Sequence, residues 1–257
     1  DSHVHLNDSA FRDDGDQVIA RALEAGVDTM VVPSVDAASW PVIGELCGRH
    51  PALHPAWGLH PVFLSNHVPA NVQALSSLLN DSRPVAVGEI GLDFHREDLD
   101  PDMQREYFLR QLELAREHEL PVIVHARNAL EEVILILRRQ GGLRGVVHSF
   151  SGSEQQARQL WDMGFHLGIG GPVTYERAHR LRRIVAGMPL EFLLLESDAP
   201  DQPDAFHRGE RNEPARVVEV LRCVASLRGE SEQHVADLTR ATTRRLYCQG
   251  ARAGSFF

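Results

Sequence analysis

"PVIVHAR", residues 121 to 127, is a short β-branched run that ends in a histidine and an arginine, and it sits between two stretches of helical periodicity. A run of this length and composition predicts a buried strand. The same pattern recurs along the chain as "DSHVHL" (1–6), "TMVVPS" (29–34), "HPAWGLH" (54–60), "PVAVGEI" (84–90), "GVVHSF" (145–150), "FHLGIG" (165–170) and "FLLLESDAP" (192–200), which makes eight candidate strands. Between them, Val18, Ile19, Ala22 and Leu23 share one helical face, as do Val72, Leu75 and Leu79, and Phe108, Leu112 and Ala115. Strand alternating with helix eight times over 257 residues predicts an α/β chain folded as a (β/α)8 TIM barrel. A doubly wound open sheet is the structural alternative, but no G-x-G-x-x-G or phosphate loop follows any strand. No linker or low-complexity run divides the chain, so residues 1–257 are expected to form a single domain. "DQPDAFHRGERNEP" (201–214) is expected to be a polar loop, followed by helices from about Pro214 to Leu227 and Ser231 to Cys248 and then a tail, "ARAGSFF".

Barrel enzymes carry their chemistry at the carboxyl ends of the strands. In an extended strand alternate side chains share a face, so His3 and His5 project together from the first candidate strand. The fourth ends with Glu89, the fifth with His125, the sixth with His148 and the eighth with Asp198. Taken singly, each could be a turn carboxylate or a hydrogen-bonded core histidine. Together, six metal-type ligands gathered at one end of an otherwise apolar barrel would be a costly accident, because unpaired polar groups there must be satisfied. Four imidazoles and two carboxylates exceed the needs of one tetrahedral ion and suit two divalent metal ions with a shared ligand. Glu89 is the expected bridge. Nitrogen-rich ligation favours Zn, Mn, Fe or Ni over Mg, although the metal's identity stays open.

Composition narrows the remaining choices. With 43% hydrophobic and 24% charged residues, the chain has the make-up of a globular protein with a large core. Cys47, Cys223 and Cys248 are odd in number and lack a C-x-x-C, so neither a disulfide framework nor a zinc ribbon is expected, and a reducing, cytoplasmic setting is the default. No apolar run approaches the roughly 18 residues that cross a bilayer, so no membrane association is expected. The chain starts at Asp1 without a methionine, which leaves room for residues ahead of it, a leader included. A net charge of −10 works against non-specific attraction to a polyanion. All 26 basic residues are arginine, which excludes a Schiff base, a Walker-type lysine and a carbamylated-lysine metal bridge.

"DSHVHL", "GLHP", "VGEIGLDF", "PVIVHAR", "VVHSFSG", "LLLESDAP" and "RNEPARV" stand in an order and spacing that resembles the TatD-type metal-dependent deoxyribonucleases, within the amidohydrolase-like barrels. The resemblance covers nearly the whole chain. It implies that His3, His5, Glu89 and Asp198 hold one metal while Glu89, His125 and His148 hold the other. It also implies hydrolysis of phosphodiester bonds in DNA, often exonucleolytic, with a metal-bridging hydroxide as the nucleophile. Asn7 stands where an aspartate is usual after the His-x-His pair, and "SDAPDQP" replaces the commoner aromatic after Ala-Pro, which leaves substrate preference open.

Around the metal ligands, His60 and Arg127 are expected to contact phosphate oxygens, with a hydrogen bond behind a ligand as the alternative for His60. Asp93, Ser149 and Ser151 are expected to form turns or support ligands, and Glu196 to orient one. Arg177, Arg180, Arg182 and Arg183 could meet a DNA backbone, but a solvated helix face is the expectation. Asp198 and Glu89 are the expected catalytic carboxylates, and DNA ends or a small phosphodiester the expected partners, with no obligate protein partner. Two other functions remain open: a metal-dependent ester or amide hydrolase, acting for instance on an aminoacyl-tRNA end or a small lactone, and a non-catalytic metal-binding barrel.

Overall fold

A computed structural model describes residues 1–248; the expected tail "ARAGSFF" lies outside the described residues. Seven parallel strands run in sequence order: β1 (Met30–Pro33), β2 (Leu53–Trp57), β3 (Ala86–Asp93), β4 (Val122–Arg127), β5 (Gly145–Val147), β6 (Phe165–Ile169) and β7 (Leu193–Leu195). The helices are α1 (Gly15–Glu24), α2 (Ser39–Arg49), α3 (Pro69–Asp81), α4 (Pro101–Glu117), α5 (Leu130–Gln140), α6 (Glu154–Asp162), α7 (His179–Gly187), α8 (Val217–Arg228) and α9 (Glu232–Cys248).

The expected first strand closes the barrel without being a regular strand. Val31 N–H donates to Asp1 O and Val4 N–H to Val31 O on the β1 side, while Ser2 N–H donates to Leu195 O and His5 N–H to Ala199 O on the β7 side. His3 O also faces the β7 side, accepting from Asp198 N–H at 3.0 Å. Consecutive residues of a regular strand face opposite neighbours, so Ser2 and His3 facing the same one mark a local bulge that interrupts the ladder.

Side chains of the strands divide into two cores. Val31, Ala56, Ala86, Ile123, Val146 and Leu194 point into the barrel, where Leu246 and Tyr247 of α9 close one end. Val32, Val87, Val122, Val124, Val147 and Leu193 point outward against the helices. Both faces are covered, as a closed parallel sheet requires. The helical faces behave as expected at Val18, Ile19, Ala22, Leu75, Leu79, Phe108, Leu112 and Ala115, all buried. Leu23 does not: it is 46% exposed, one position beyond the stripe that meets the core. No described helix is long and apolar enough to cross a membrane. All three cysteines are free.

Alternation places the site. Two residues beyond Ile123 is His125, two beyond Val146 is His148, and two beyond Leu194 is Glu196, so each projects into the barrel one layer above the apolar interior. Glu89 breaks this rule, since it lies three residues beyond Ala86. The register between β3 and β4 shifts between Val87 and Ile90, and this bulge turns Glu89 inward. Gly91 makes the close approach possible: its φ is +142°, and a Cβ there would stand 2.0 Å from His125 O.

Candidate metal centre

His3, His5, Glu89, His125, His148 and Asp198 come together at the carboxyl end of the barrel, as the sequence leads one to expect. His3 Nε2 lies 3.1 Å from His5 Nε2, 3.2 Å from Glu89 Oε2 and 3.5 Å from Asp198 Oδ1. His5 Nε2 lies 3.5 Å from Glu89 Oε2 and 3.6 Å from Asp198 Oδ1. Four ligands about 2.1 Å from a common centre at tetrahedral angles would stand about 3.4 Å apart. These separations fit that figure. The other carboxylate oxygen of Glu89 faces a second group: Oε1 lies 2.7 Å from His148 Nε2, 2.9 Å from His125 Nδ1 and 3.0 Å from His60 Nε2. His125 Nδ1 and His148 Nε2 are 3.3 Å apart. Three overlapping trios, His3–Glu89–His148, His3–His5–Asp198 and His60–Glu89–His125, each bring their ligand atoms within 4.8 Å of one another.

Burial and neighbouring charges shift the groups of this cluster in both directions. Burial pushes the Glu89 carboxyl up, but His148, His60 and His3 around it outweigh burial and hold it well below the usual carboxylate range. Burial raises Glu196 to about 7 and raises Asp198 as well. Burial pulls His148 down, yet Glu89 carries it up to about 10, whereas burial holds His3 well below its ordinary value. Imidazole nitrogens and carboxylate oxygens in this number and spacing fit divalent cations.

Neighbouring groups hold these side chains in place. Asp93 Oδ2 lies 2.9 Å from His125 Nε2, and Gln104 of α4 brackets the Asp93 backbone with bonds of 2.8 and 3.0 Å. Glu196 accepts from Ser149 N–H at 2.5 Å and stands 3.9 Å from His148 Nδ1, beyond hydrogen-bond reach, so His148 Nδ1 has no hydrogen-bond partner among the described residues. Gly168 leaves the room Glu196 needs, since a Cβ there would fall 2.1 Å from its Oε2. Asp198 adopts a left-handed φ of +55°, unusual outside glycine, and accepts a short hydrogen bond from Gln202 Nε2. "RNEP" anchors this loop: Asn212 Nδ2 donates to Ser197 O and Asp201 O, both at 2.8 Å, while Arg211 and Glu213 pair with Asp14 and Arg21.

His60 makes the hydrogen bond behind a ligand that is its alternative expectation, to Glu89. Val62 N–H donates to His60 Nδ1 at 3.0 Å, so the proton of the neutral ring is on Nε2, which points at Glu89 Oε1. Burial lowers its pKa to about 4 and keeps the ring neutral. Arg127 is exposed on the wall of a cleft of about 1110 Å³ that opens over the centre. Two cleft residues escaped sequence reasoning. Phe63, 38% exposed, follows "GLHP" by two residues, and its place after a strand end was the available signal. Gln202 stands in the departure "SDAPDQP" and bonds the Asp198 carboxylate.

A family model described as TatD related DNase matches residues 1–248. The chain is 37% identical over 253 residues to the metal-dependent hydrolase YjjV of Escherichia coli (strain K12), a match covering 96% of each. It is 36% identical over 256 residues to the 3'-5' ssDNA/RNA exonuclease TatD of Salmonella typhimurium (strain LT2), covering 96% of this chain and 98% of that one. The crystal structure of YjjV superimposes with a TM-score of 0.93 at 35% identity, over 96% of this chain and 97% of that one.

Proposed function

Because the chain belongs to the TatD related DNase family of metal-dependent hydrolases, we propose that it hydrolyses phosphodiester bonds at the ends of single-stranded nucleic acid, using two divalent cations. The observation that carries this reading is Glu89, whose two oxygens face two adjoining groups of donors. His3, His5, Glu89 and Asp198 would hold one ion, and Glu89, His125 and His148 the other. Bound divalent cations supply Lewis acidity toward a phosphoryl oxygen and acidify water at neutral pH.

The chain's own groups do the rest. Asp198 takes the proton of the attacking water, its carboxylate oriented by Gln202 Nε2. The P–O bond to the leaving sugar breaks as the new P–O bond forms, and solvent protonates the leaving oxygen. His60 donates to Glu89 and fixes the plane of its carboxylate. Arg127 binds a non-bridging phosphate oxygen through its planar fork. With a net charge of −10, the protein attracts its substrate locally at the cleft, which favours gripping an end over coating a duplex.

The test is a screen of protein reconstituted with Zn²⁺, Mn²⁺, Ni²⁺, Fe²⁺ or Mg²⁺ against end-labelled single-stranded DNA, with carboxyl esters in parallel. A ladder of products shortening from one end is expected. Hydrolysis of carboxyl esters with no cleavage of DNA under any of these metals would overturn the reading in favour of an acyl hydrolase.

A further inference from the structure

The walls of the cleft differ in charge. The end of β4 contributes Arg127, the loop after β6 Arg177 and the first turn of α7 Arg180, whereas the loop after β7 and the N-terminal segment contribute Asp201 and Asp8. Among the described residues, none of these three arginines forms an ion pair, although Arg21, Arg105 and Arg211 elsewhere are bound to carboxylates. Arg180 Nη2 donates to Ser151 O at 2.8 Å, which ties the start of α7 to the loop after β5 and holds the guanidinium along the cleft. Arg177 lies over the Tyr175 ring, 5.5 Å from its centroid. Tyr175 is fixed in turn by its hydroxyl, which donates to Pro203 O at 3.0 Å. Both cations are therefore steadied by neutral partners and keep their charge uncompensated toward the cleft. Their neighbours differ: Arg182 Nη1 is spent on Val173 O at 2.9 Å, and Arg183 is exposed but does not line the cleft.

We propose that Arg177 and Arg180 form a second phosphate subsite, which binds the phosphate next to the scissile one in a single-stranded polynucleotide. This rests on the phosphodiesterase reading above and gives the substrate strand a direction: away from the metal centre, across the loops after β5 and β6. The cleft, at about 1110 Å³, exceeds the roughly 300 to 1,000 Å³ that a single small ligand fills, so it has room for more than one nucleotide. Asp201 and Asp8 repel a phosphate chain on the other side, so a strand entering the cleft has one favourable exit. A small diester with no neighbouring phosphate makes no use of this wall. The two arginines thus select polymer over monomer.

The test compares Arg177→Gln, Arg180→Gln and the double variant with Arg183→Gln, which removes the same charge from α7 outside the cleft. The probe is a fluorescein-labelled single-stranded DNA of about ten nucleotides with phosphorothioate linkages, measured by anisotropy with Mn²⁺ over a range of salt. Each cleft variant is expected to weaken binding several-fold and to reduce the slope of log K against log salt by about 0.7, the single-strand value per phosphate contact. In turnover, kcat/KM on unmodified oligonucleotide should fall about tenfold further than on bis(p-nitrophenyl) phosphate, with a total loss for the double variant of about 10- to 100-fold. Affinity and salt slope unchanged from the parent, an equal effect of Arg183→Gln, or equal losses on polymer and small diester would each overturn the proposal. Cleavage of neither diester by the parent would instead remove the phosphodiesterase reading, and the binding slopes would still decide whether the wall takes phosphate.

Discussion

Asp93 Oδ2 stands 2.9 Å from His125 Nε2, and this contact determines that His125 offers Nδ1 to Glu89 and His148. Gln104 and the His95 N–H hold Asp93 in turn. Asp93→Asn keeps the volume but weakens the acceptor, so His125 is freed to rotate. Loss of such an outer partner typically costs about 10- to 100-fold in metal affinity. The expected result is a drop of that size for one ion in a competitive chelator titration, with Tm little changed. Parent affinity in the variant would make Asp93 a turn residue only.

Glu89 faces both donor groups, so its charge serves two ions. Glu89→Gln should therefore reduce the occupancy of both, whereas His125→Ala should lose chiefly one. Elemental analysis of purified protein measures this directly. Retention of both ions at parent affinity in Glu89→Gln would show that the carboxylate does not bridge them.

Gly91 lets β3 approach β4 closely beside Glu89. An added methyl group would collide with the His125 backbone, at a φ that side chains rarely adopt. Gly91→Ala should separate β3 from β4 near the site, lowering Tm by several degrees and lowering metal affinity with it. A variant with parent Tm and metal content would mean that the strands can relax without moving Glu89.

Much of this was legible because side chains alternate along a strand. Once "PVIVHAR" is a strand with Ile123 inside, His125 is inside as well, and the same holds for Val146 and His148. Glu89 was found by its place at a strand end, but alternation from Ala86 would have pointed it at the helices; the bulge that turns it has no reliable mark in sequence. His60 shows another limit. Its role depends on which ring nitrogen carries the proton, and a backbone N–H two residues away decides that. Arg177, Arg180 and Arg183 are all exposed, as a solvated face requires, but the sequence does not tell that Arg177, just before α7, and Arg180, in its first turn, line the cleft while Arg183 does not. Leu23 was misread for a related reason: periodicity gives the axis of an apolar stripe more firmly than its edge.

The "RNEP" loop carries a pH dependence. Arg21 donates to both oxygens of Glu213 at 2.8 Å, and Arg211 spans Glu213 and Asp14 while lying 4.8 Å over the Phe11 ring. Burial pushes Glu213 up, but the two guanidiniums outweigh it and hold the carboxyl below its ordinary value; Arg211 does the same for Asp14. A carboxylate depressed in the folded state adds stability that is full above the unfolded value, about 4.3 for glutamate, and fades as pH falls through the folded one. Glu213→Gln should thus lower Tm at neutral pH and flatten its decline in acid. With Arg21 and Arg211 side chains 42% and 31% exposed, screening limits the effect to about 1 kcal/mol. Parallel Tm profiles for parent and variant below about pH 4 would assign the loop's anchoring to Asn212 and Arg211 alone.

Asp198 separates ligation from proton transfer. Its Oδ1 stands 3.5 and 3.6 Å from the two N-terminal imidazoles, while Oδ2 accepts from Gln202, so the carboxylate is oriented from both sides. As a ligand it supplies one bond among several, and Asp198→Asn should weaken one ion only in part. As the acceptor of the water's proton it has no substitute, because an amide cannot take up a proton. Loss of a general base costs roughly 10² to 10⁴ in rate. At saturating metal, Asp198→Asn should therefore depress kcat by about that factor with KM little changed, and it should remove the acidic limb of the rate profile, since that limb reports protonation of the base. Recovery of kcat to near the parent value when metal is raised would make Asp198 a ligand only, and the proton would then have to leave directly to solvent, because His60 already donates its ring proton to Glu89.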